Sequence, residues 1–256
     1  MTSCIFTVIK NEQEYLEDFI KYHLDLGVNH IFIFEDKDSE SHKNICNKYQ
    51  NVTLNNVDIL KPIEYNQKEY IKSGLIWIRD NYKYDWCFSI DCDEFITVTE
   101  EFPKLLEDYL NNDAIMLQWK NFGYSGHIEK PIYDKPIWEI YDKECGFTKN
   151  DKKYCNCTKM CFNMNKLQEK FIFGNHTALC NYVKPDFTWD RTKPIYSKIY
   201  LRHYITKSFE EYVWKLKIRG MMCPEHRGYN DFFEMHPELE NKRDELIKFI
   251  EHKLNI

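Results

Sequence analysis

The sequence has no long hydrophobic run. Its longest apolar stretches, such as Ile31 to Phe34, fall far short of the ~18 consecutive apolar residues that a membrane-spanning helix needs. The opening Met1-Thr2-Ser3-Cys4-Ile5 lacks the basic segment and extended apolar core of a secretion signal and reads as the first strand of the fold. Positive charge is not in excess either. There are 35 Lys and Arg against 41 Asp and Glu, a net charge of -6, with no long basic run. This excludes non-specific nucleic-acid binding as the main task. An anionic substrate has to be held by a few local cations or by a metal. No internal repeat and no low-complexity linker interrupts the chain. These absences predict a cytoplasmic protein without a transmembrane segment, and they leave room for peripheral membrane contact.

What is present suits one compact domain spanning residues 1–256, long enough to bury a sizeable core. Hydrophobic residues make up 43% and charged residues 30%, the balance of an ordinary globular protein. Aromatics reach 16%, which suits sugar-lined sites and cores alike. The ten cysteines, in a chain this size without a secretory signal, read as reduced thiols. Among them Cys145, Cys155, Cys157, Cys161 and Cys180 have spacings close to a paired Cys-x-x-Cys zinc set but do not form one. Asn51-Val52-Thr53, Asn156-Cys157-Thr158 and Asn175-His176-Thr177 match the glycosylation acceptor pattern, and read as chance matches where no secretory route exists.

Strands and helices alternate through the first half. Ile5 to Ile9 reads as a buried strand. Leu16, Phe19, Ile20 and His23 then fall at helical spacing before Gly27, a residue suited to a helix C-terminus. Val28 to Phe34 forms a second strand and runs into Glu35-Asp36-Lys37-Asp38. A short helix near Ser41 to Tyr49, a strand near Val52 to Ile59 and a helix from Gln67 to Tyr82 follow, the last with Ile71, Leu75 and Ile78 on one face. Trp86 to Ile90 is a strand, Pro103 to Leu110 a helix, and Ala114 to Trp119 another strand. Such alternation predicts an α/β fold with a mostly parallel central sheet and helices on both faces. The second half is less regular. Pro194 to Tyr204 reads as a strand, Ser208-Phe209-Glu210-Glu211 as a capping box opening a helix that stops at Gly220, and Pro237 to Lys253 as a final polar helix.

In open α/β sheets, ligands bind beyond the carboxyl ends of the strands. Three polar clusters sit at such ends here: Lys10-Asn11-Glu12, Glu35-Asp36 and Asp91-Cys92-Asp93. The last follows the strand Trp86-Cys87-Phe88-Ser89-Ile90. If extended, Asp91 and Asp93 share a face. Two close carboxylates repel unless a positive charge lies between them. A hard divalent cation, Mn²⁺ or Mg²⁺, is the natural resident. It would take its remaining ligands from water and substrate phosphates and help a diphosphate depart.

At this point the sequence resembles GT-A glycosyltransferases of the family 2 type, in the branch shared with family 92, formerly a domain of unknown function. The resemblance rests on six ordered segments: Thr7-Val8-Ile9-Lys10-Asn11-Glu12, Tyr22-His23-Leu24-Asp25-Leu26-Gly27-Val28, Asp85 to Phe95, Trp119 to His127, Arg202 to Ser208 and Lys217-Ile218-Arg219-Gly220. It implies a Rossmann-like GT-A fold, with a nucleotide-sugar-binding half over residues 1–120 and an irregular acceptor-side half over residues 121–256. It further implies an inverting hexosyl transfer from a nucleotide-sugar donor, UDP-galactose or UDP-glucose, to a glycan or glycoconjugate acceptor. Asp91 and Asp93 match the family's metal triplet, and His203 matches a histidine that could complete the metal shell. Lys10, Asn11 and Glu12 fall on the first nucleotide-binding loop, and Glu35 and Asp36 where the nucleoside is contacted. Lys207 could meet the diphosphate, and Trp119 could stack on a sugar. Lys159 matches a basic position only loosely, and the stretch Asp142 to Cys157 departs from the family.

An inverting transfer needs a base for the acceptor hydroxyl. His127, Asp134 and Glu94 are the candidates, and the sequence does not choose among them. Each of these residues also has a plain structural reading. His203 could be a hydrogen-bonded core histidine, His176 a loop residue, Glu35 and Asp36 a solvated strand end, Trp119 core, and Lys207 the start of a helix. Two other functions compete. Nucleotidyl transfer onto a sugar phosphate would want a Gly-rich or basic loop near the N-terminus, and Lys10-Asn11-Glu12 is not Gly-rich. A non-catalytic, lectin-like protein on the same fold is the third reading.

Overall fold

The structure is a computed structural model that describes residues 1–62, 66–145, 158–173, 178–179, 182–183, 198–220 and 228–256. The chain divides into two compact units. The first comprises Met1–Trp119, Asn156–Trp189 and Pro194–Leu201, and the second Lys120–Cys155, Asp190–Lys193 and Arg202–Ile256.

The first unit is built on a sheet. The strands, in chain order, are β1 (Ser3–Ile9), β2 (His30–Glu35), β3 (Val52–Asn56), β4 (Trp86–Ser89), β5 (Glu94–Val98), β6 (Ala114–Asn121), β7 (Thr158–Asn163), β8 (Ile172–Phe173), β9 (Ala178–Leu179), β10 (Tyr182–Val183) and β11 (Ile199–His203), of which Lys120, Asn121, Arg202 and His203 count with the second unit. The main sheet runs β3-β2-β1-β4-β7-β6-β11-β5, with β10 beside β6; β8 and β9 form a separate pair. β3, β2, β1 and β4 are parallel, with Ile33↔Leu54, Phe6↔Phe32 and Phe6↔Ser89 as partners. β7 is antiparallel to both β4 and β6. The α/β class expected from the sequence is therefore present, with its Rossmann-like parallel half in the first 90 residues.

Alternation along the strands sends side chains to two faces. One face carries Cys4, Phe6, Phe32, Phe34, Cys87, Met116, Met160 and Phe162. Against it lies the helix α3 (Gln67–Asn81) with Ile71, Leu75 and Ile78, the three residues the periodicity picks out. Gly74 belongs to that face too. A Cβ at this position would stand 2.1 Å from Cε2 of Phe6, so only glycine lets helix and sheet approach this closely. Asn66 caps α3 by accepting the Glu69 N–H at 3.1 Å.

The helix α1 (Gln13–Leu26) buries Tyr15, Leu16, Phe19, Ile20 and His23. It ends at Gly27, whose φ of 109° and N–H bonds to the His23 and Leu24 carbonyls make a left-handed cap. Nε2 of His23 accepts the Ile96 N–H at 3.1 Å, while Nδ1 sits 2.8 Å from the Phe19 carbonyl, so this histidine ties α1 to β5.

Some elements are shorter than the sequence suggests. The helix expected over Ser41–Tyr49 is α2 (Lys43–Cys46), the strand expected to Ile59 gives way to a 3₁₀ turn over Val57–Leu60, and Pro103–Leu110 is 3₁₀ over Lys104–Tyr109. The six cysteines Cys4, Cys46, Cys87, Cys92, Cys145 and Cys161 are buried and free.

The second unit carries the short helix α4 (Ile137–Ile140), then α5 (Phe209–Trp214), α6 (Tyr229–Met235) and α7 (Arg243–Leu254). Phe209, Tyr212, Val213, Phe232, Phe233 and Ile250 form its core. The capping box is present as expected: Ser208 Oγ accepts the Glu211 N–H, and Glu211 accepts the Ser208 N–H. α5 runs on into a π-helical turn over Lys215–Arg219 that stops at Gly220. The polar helix expected from Pro237 begins as a 3₁₀ turn, Pro237–Lys242, and only then becomes α7. Among the described residues no helix is long and apolar enough to cross a membrane.

Candidate functional site

Because β1, β2 and β4 are parallel neighbours, their carboxyl ends share one edge of the sheet. The three polar clusters singled out in the sequence lie there. Two of them are knitted together by side chains. Asn11, in the left-handed region at φ 51°, accepts the Glu40 N–H at 2.7 Å, and its own N–H reaches Ser39 Oγ at 2.9 Å. Lys10 pairs with Asp36 at 3.7 Å. The buried Glu12 gives its N–H to Nε2 of His42 at 3.0 Å. Since a backbone N–H can only donate, Nε2 accepts, and the ring proton lies on Nδ1, which donates to Glu35 Oε1 at 2.7 Å. The same carboxylate accepts the His42 N–H, also at 2.7 Å. His42 was not foreseen as a site residue. Its one sequence signal is its place seven residues beyond Glu35 at the start of a short helix, which is too weak to act on.

The third cluster corrects an expectation. Asp91 and Asp93 are not consecutive positions on one face of a strand. β4 ends at Ser89, and Asp91 to Glu94 close a turn: the Glu94 N–H bonds to the Asp91 carbonyl at 3.0 Å, and Glu94 Oε2 accepts the Asp91 N–H at 2.9 Å. The turn, rather than strand alternation, sets the two aspartates. The Asp91 side chain is 45% exposed, whereas Asp93 is buried.

Glu94 is fully buried. Burial pushes its pKa well above the ordinary carboxylate range, Lys159 pulls it down, and the Asp91 and Asp93 charges push it up again. This carboxyl clamps the turn, an arrangement that leaves it no face toward an acceptor.

Lys159 is the main residue that sequence reasoning underrated. It lies in β7, opposite Leu117 of β6, and is almost wholly inaccessible. Its Nζ is 2.8 Å from Asp91 Oδ2, 3.8 Å from Glu94 Oε1 and 6.0 Å from the Trp119 ring centroid. Burial alone would lower its pKa, but the Asp91 and Glu94 charges and the hydrogen bond to Asp91 outweigh it and leave it raised. Trp119 is buried on the same face of β6 and supports Lys159. The available signal was a single lysine at the head of the apolar run Met160-Cys161-Phe162, since a buried lysine demands a carboxylate.

Four anticipated residues belong to the second unit. His203 is buried, with Nδ1 3.2 Å from Asn121 Oδ1. Lys207 is buried in the left-handed region, at φ 52°, just before the Ser208 cap. His127 is half-buried with its ring edge-on to Tyr141, and Asp134 is exposed. Near them Glu211 accepts from Tyr133 and Tyr141, each at 2.5 Å, and from Ser208 Oγ at 2.6 Å. Burial and the Glu211 charge raise both tyrosine pKa values. The same unit holds a cavity of about 540 Å³ lined by Tyr124, Ser125, Lys143, Cys145, His236 and Glu238 among others. His176, Cys155, Cys157 and Cys180 lie outside the described residues.

Hard oxygen donors and an excess of carboxylate suit a divalent cation of the Mg²⁺ or Mn²⁺ kind. The fit is that of a carboxylate pair needing water and phosphate to fill the shell. Among the described residues no group of three or more His, Cys, Asp and Glu side chains is arranged to hold a metal.

Comparison with known proteins gives a distant relative. Over 137 residues the chain is 25% identical to a glycosyltransferase family 92 protein from rice, Oryza sativa subsp. japonica; the match covers 50% of this chain and 22% of that protein. Over that stretch the chain resembles a family 92 glycosyltransferase. No family model matches it. Among solved structures, glucosyl-3-phosphoglycerate synthase from Mycobacterium tuberculosis, in complex with Mn²⁺, UDP and phosphoglyceric acid, aligns with a TM-score of 0.34 at 14% identity, over 49% of this chain and 44% of that one. HddC from Yersinia pseudotuberculosis aligns with a TM-score of 0.42 at 10% identity, over 79% and 93%. At these scores the likeness adds nothing to the topology above. The stretch matched in the rice protein is about a fifth of that protein's length.

Proposed function

We propose that this chain is an inverting, divalent-metal-dependent glycosyltransferase that moves a hexosyl group from a nucleotide diphosphate, with UDP as the nucleotide, to a hydroxyl of a glycan or glycoconjugate. The observation that carries the reading is the acidic turn Asp91 to Glu94 at the carboxyl edge of the parallel strands β1, β2 and β4. The family label of the rice protein supports it.

In this reading Asp91 and Asp93 hold Mn²⁺ or Mg²⁺, and water and phosphate oxygens complete the shell; His203, expected from the sequence as a further ligand, is instead buried against Asn121 and joins no three-residue metal group among the described residues. The ion supplies charge neutralisation of the departing diphosphate. Lys10, Asn11 and Glu12, with Glu35 and Asp36, cradle the nucleoside, their geometry set by His42. Lys207 meets the diphosphate and Trp119 bounds the donor site. The base that takes the acceptor proton is His127 or Asp134; the buried Glu94 keeps the turn closed instead. The free cysteines fit a reducing, cytoplasmic setting.

The test is thermal-shift and calorimetric titration with UDP and UDP-hexoses, with and without Mn²⁺, on the wild type, Asp91→Asn and Asp93→Asn. Metal-dependent UDP binding that both variants lose is the expected result, and both variants keeping it would defeat the reading. Product analysis separates it from nucleotidyl transfer, which releases pyrophosphate rather than UDP.

A further inference from the structure

The acidic turn already has a cation of its own. Lys159 Nζ lies 2.8 Å from one carboxylate oxygen of Asp91, and the ammonium is enclosed by β6 and β7 with the Trp119 ring on its flank. A lysine this deeply buried cannot swing out to solvent at little cost. It holds Asp91 Oδ2 and spreads positive charge over Glu94 as well. An incoming divalent cation therefore meets a like charge and a carboxylate with one oxygen already engaged. Three carboxylates (Asp91, Asp93 and Glu94) against one ammonium leave at most two net negative charges in this group. A nucleoside diphosphate adds anionic oxygens that serve both the metal and the lysine.

We propose that Lys159 makes divalent-metal binding conditional on the nucleotide. It is a positioning residue that occupies the carboxylates of the free protein and suppresses metal uptake until a diphosphate arrives. The inference rests on the metal reading of Asp91 and Asp93 and adds an order to it: nucleotide and metal bind together, and metal alone binds weakly.

The experiment is Mn²⁺ titration, followed by the electron paramagnetic resonance of free Mn²⁺, on the full chain with and without UDP. The variants are Lys159→Met, Lys159→Gln and Lys159→Arg, each checked for folding by circular dichroism. In the wild type, UDP should tighten Mn²⁺ binding at least tenfold. Lys159→Met should bind Mn²⁺ alone at least tenfold more tightly than the wild type, and the gain from UDP should shrink. Lys159→Gln should do the same, which keeps the test open if the methionine variant fails to fold, and Lys159→Arg should not. Damage to the fold would weaken metal binding, so a tighter neutral variant cannot be mistaken for it. Equal or weaker Mn²⁺ binding by the neutral variants overturns the role of Lys159 and leaves the metal site standing. So does a wild type that binds Mn²⁺ equally with and without UDP, a result that needs no variant. Absence of Mn²⁺ binding even with UDP overturns the metal site and this inference together.

Discussion

His42 gives the sharpest test of how the nucleoside side of the site is held, because its two ring nitrogens do different work. Nε2 accepts the Glu12 N–H, and Nδ1–H donates to Glu35. The ring is fully enclosed, so neither bond can be replaced by solvent without rearrangement. A buried N–H left without an acceptor costs ~1–3 kcal/mol, and a hydrogen bond to a carboxylate contributes ~1.5–3 kcal/mol. His42→Ala loses both and the packing of the ring, so at least about 3 kcal/mol of stability should go. Glutamine can place an oxygen where Nε2 stands, and asparagine a donor where Nδ1 stands. His42→Gln should therefore keep the Glu12 bond and lose the Glu35 bond, and His42→Asn the reverse, each costing roughly half of the alanine loss. Urea unfolding followed by circular dichroism measures all three. UDP affinity should fall in the same order if these loops hold the nucleoside. An alanine variant within about 0.5 kcal/mol of the wild type, the usual span of a neutral surface substitution, would refute the reasoning. So would glutamine and asparagine variants that each match alanine.

Three further outcomes follow from the packing and the charges. Gly74→Ala sets a Cβ 2.1 Å from the Phe6 ring; overpacking costs ~1–3 kcal/mol against a helix-propensity gain of ~1 kcal/mol, so the variant should melt lower, and Phe6→Leu in the same chain should recover part of the loss. Glu94 has its folded pKa raised by burial well above the ordinary carboxylate value of 4.5, so its contribution to stability is present below that value and is lost as pH rises through the folded pKa. Glu94→Gln, which mimics the protonated form and can still accept the Asp91 N–H, should raise the melting temperature near pH 8 (roughly) and leave it unchanged near pH 4 (roughly); an unchanged melting temperature at the higher pH would count against it. His236 has its folded pKa lowered from 6.5 to about 4 by burial, which Glu238 only partly opposes. Folding therefore favours its neutral form, and stability falls as pH drops from 6.5 toward 4, by ~3 kcal/mol at most. His236→Gln should flatten that slope in acid-unfolding curves.

Much of the fold was legible because its strongest signals are periodic. β1, α1, β2 and α3 stand where alternation, helical spacing, Gly27 and the run Ile71, Leu75 and Ile78 put them. What the pattern missed follows from what it counts. Gly74 contributes to the α3 interface by the absence of a side chain, so a search for hydrophobic residues passes over it. The seven-residue α6 is too short to declare itself by period, and it exists because Phe232 and Phe233 find the core of the second unit while Met235 is buried with Cys145 and Ile205. Val52 to Ile59 reads as one strand, but Asn56 accepts the Asp58 N–H at 2.8 Å and turns the chain into a 3₁₀ segment first.

The site was half legible, for a topological reason. Loops that follow parallel strands must gather at one edge, so strand order alone brings Lys10-Asn11-Glu12, Glu35-Asp36 and the acidic triplet together. Lys159 could not, because β7 reaches the sheet from the later part of the chain and inserts between β4 and β6 in the opposite sense. No rule of adjacency leads from Asp91 to a residue 68 positions away (159 − 91) on an antiparallel strand. The requirement was nevertheless in the sequence. Three acids at the tip of a buried strand need positive charge, and a lysine embedded in an apolar strand needs negative charge. Each is unfavourable alone, so two such anomalies in one chain are most economically satisfied by each other. Matching the cost of one buried charge to the sign of another would have paired Lys159 with Asp91. It would also have shown that a metal at this turn must share its carboxylates with an ammonium already in place.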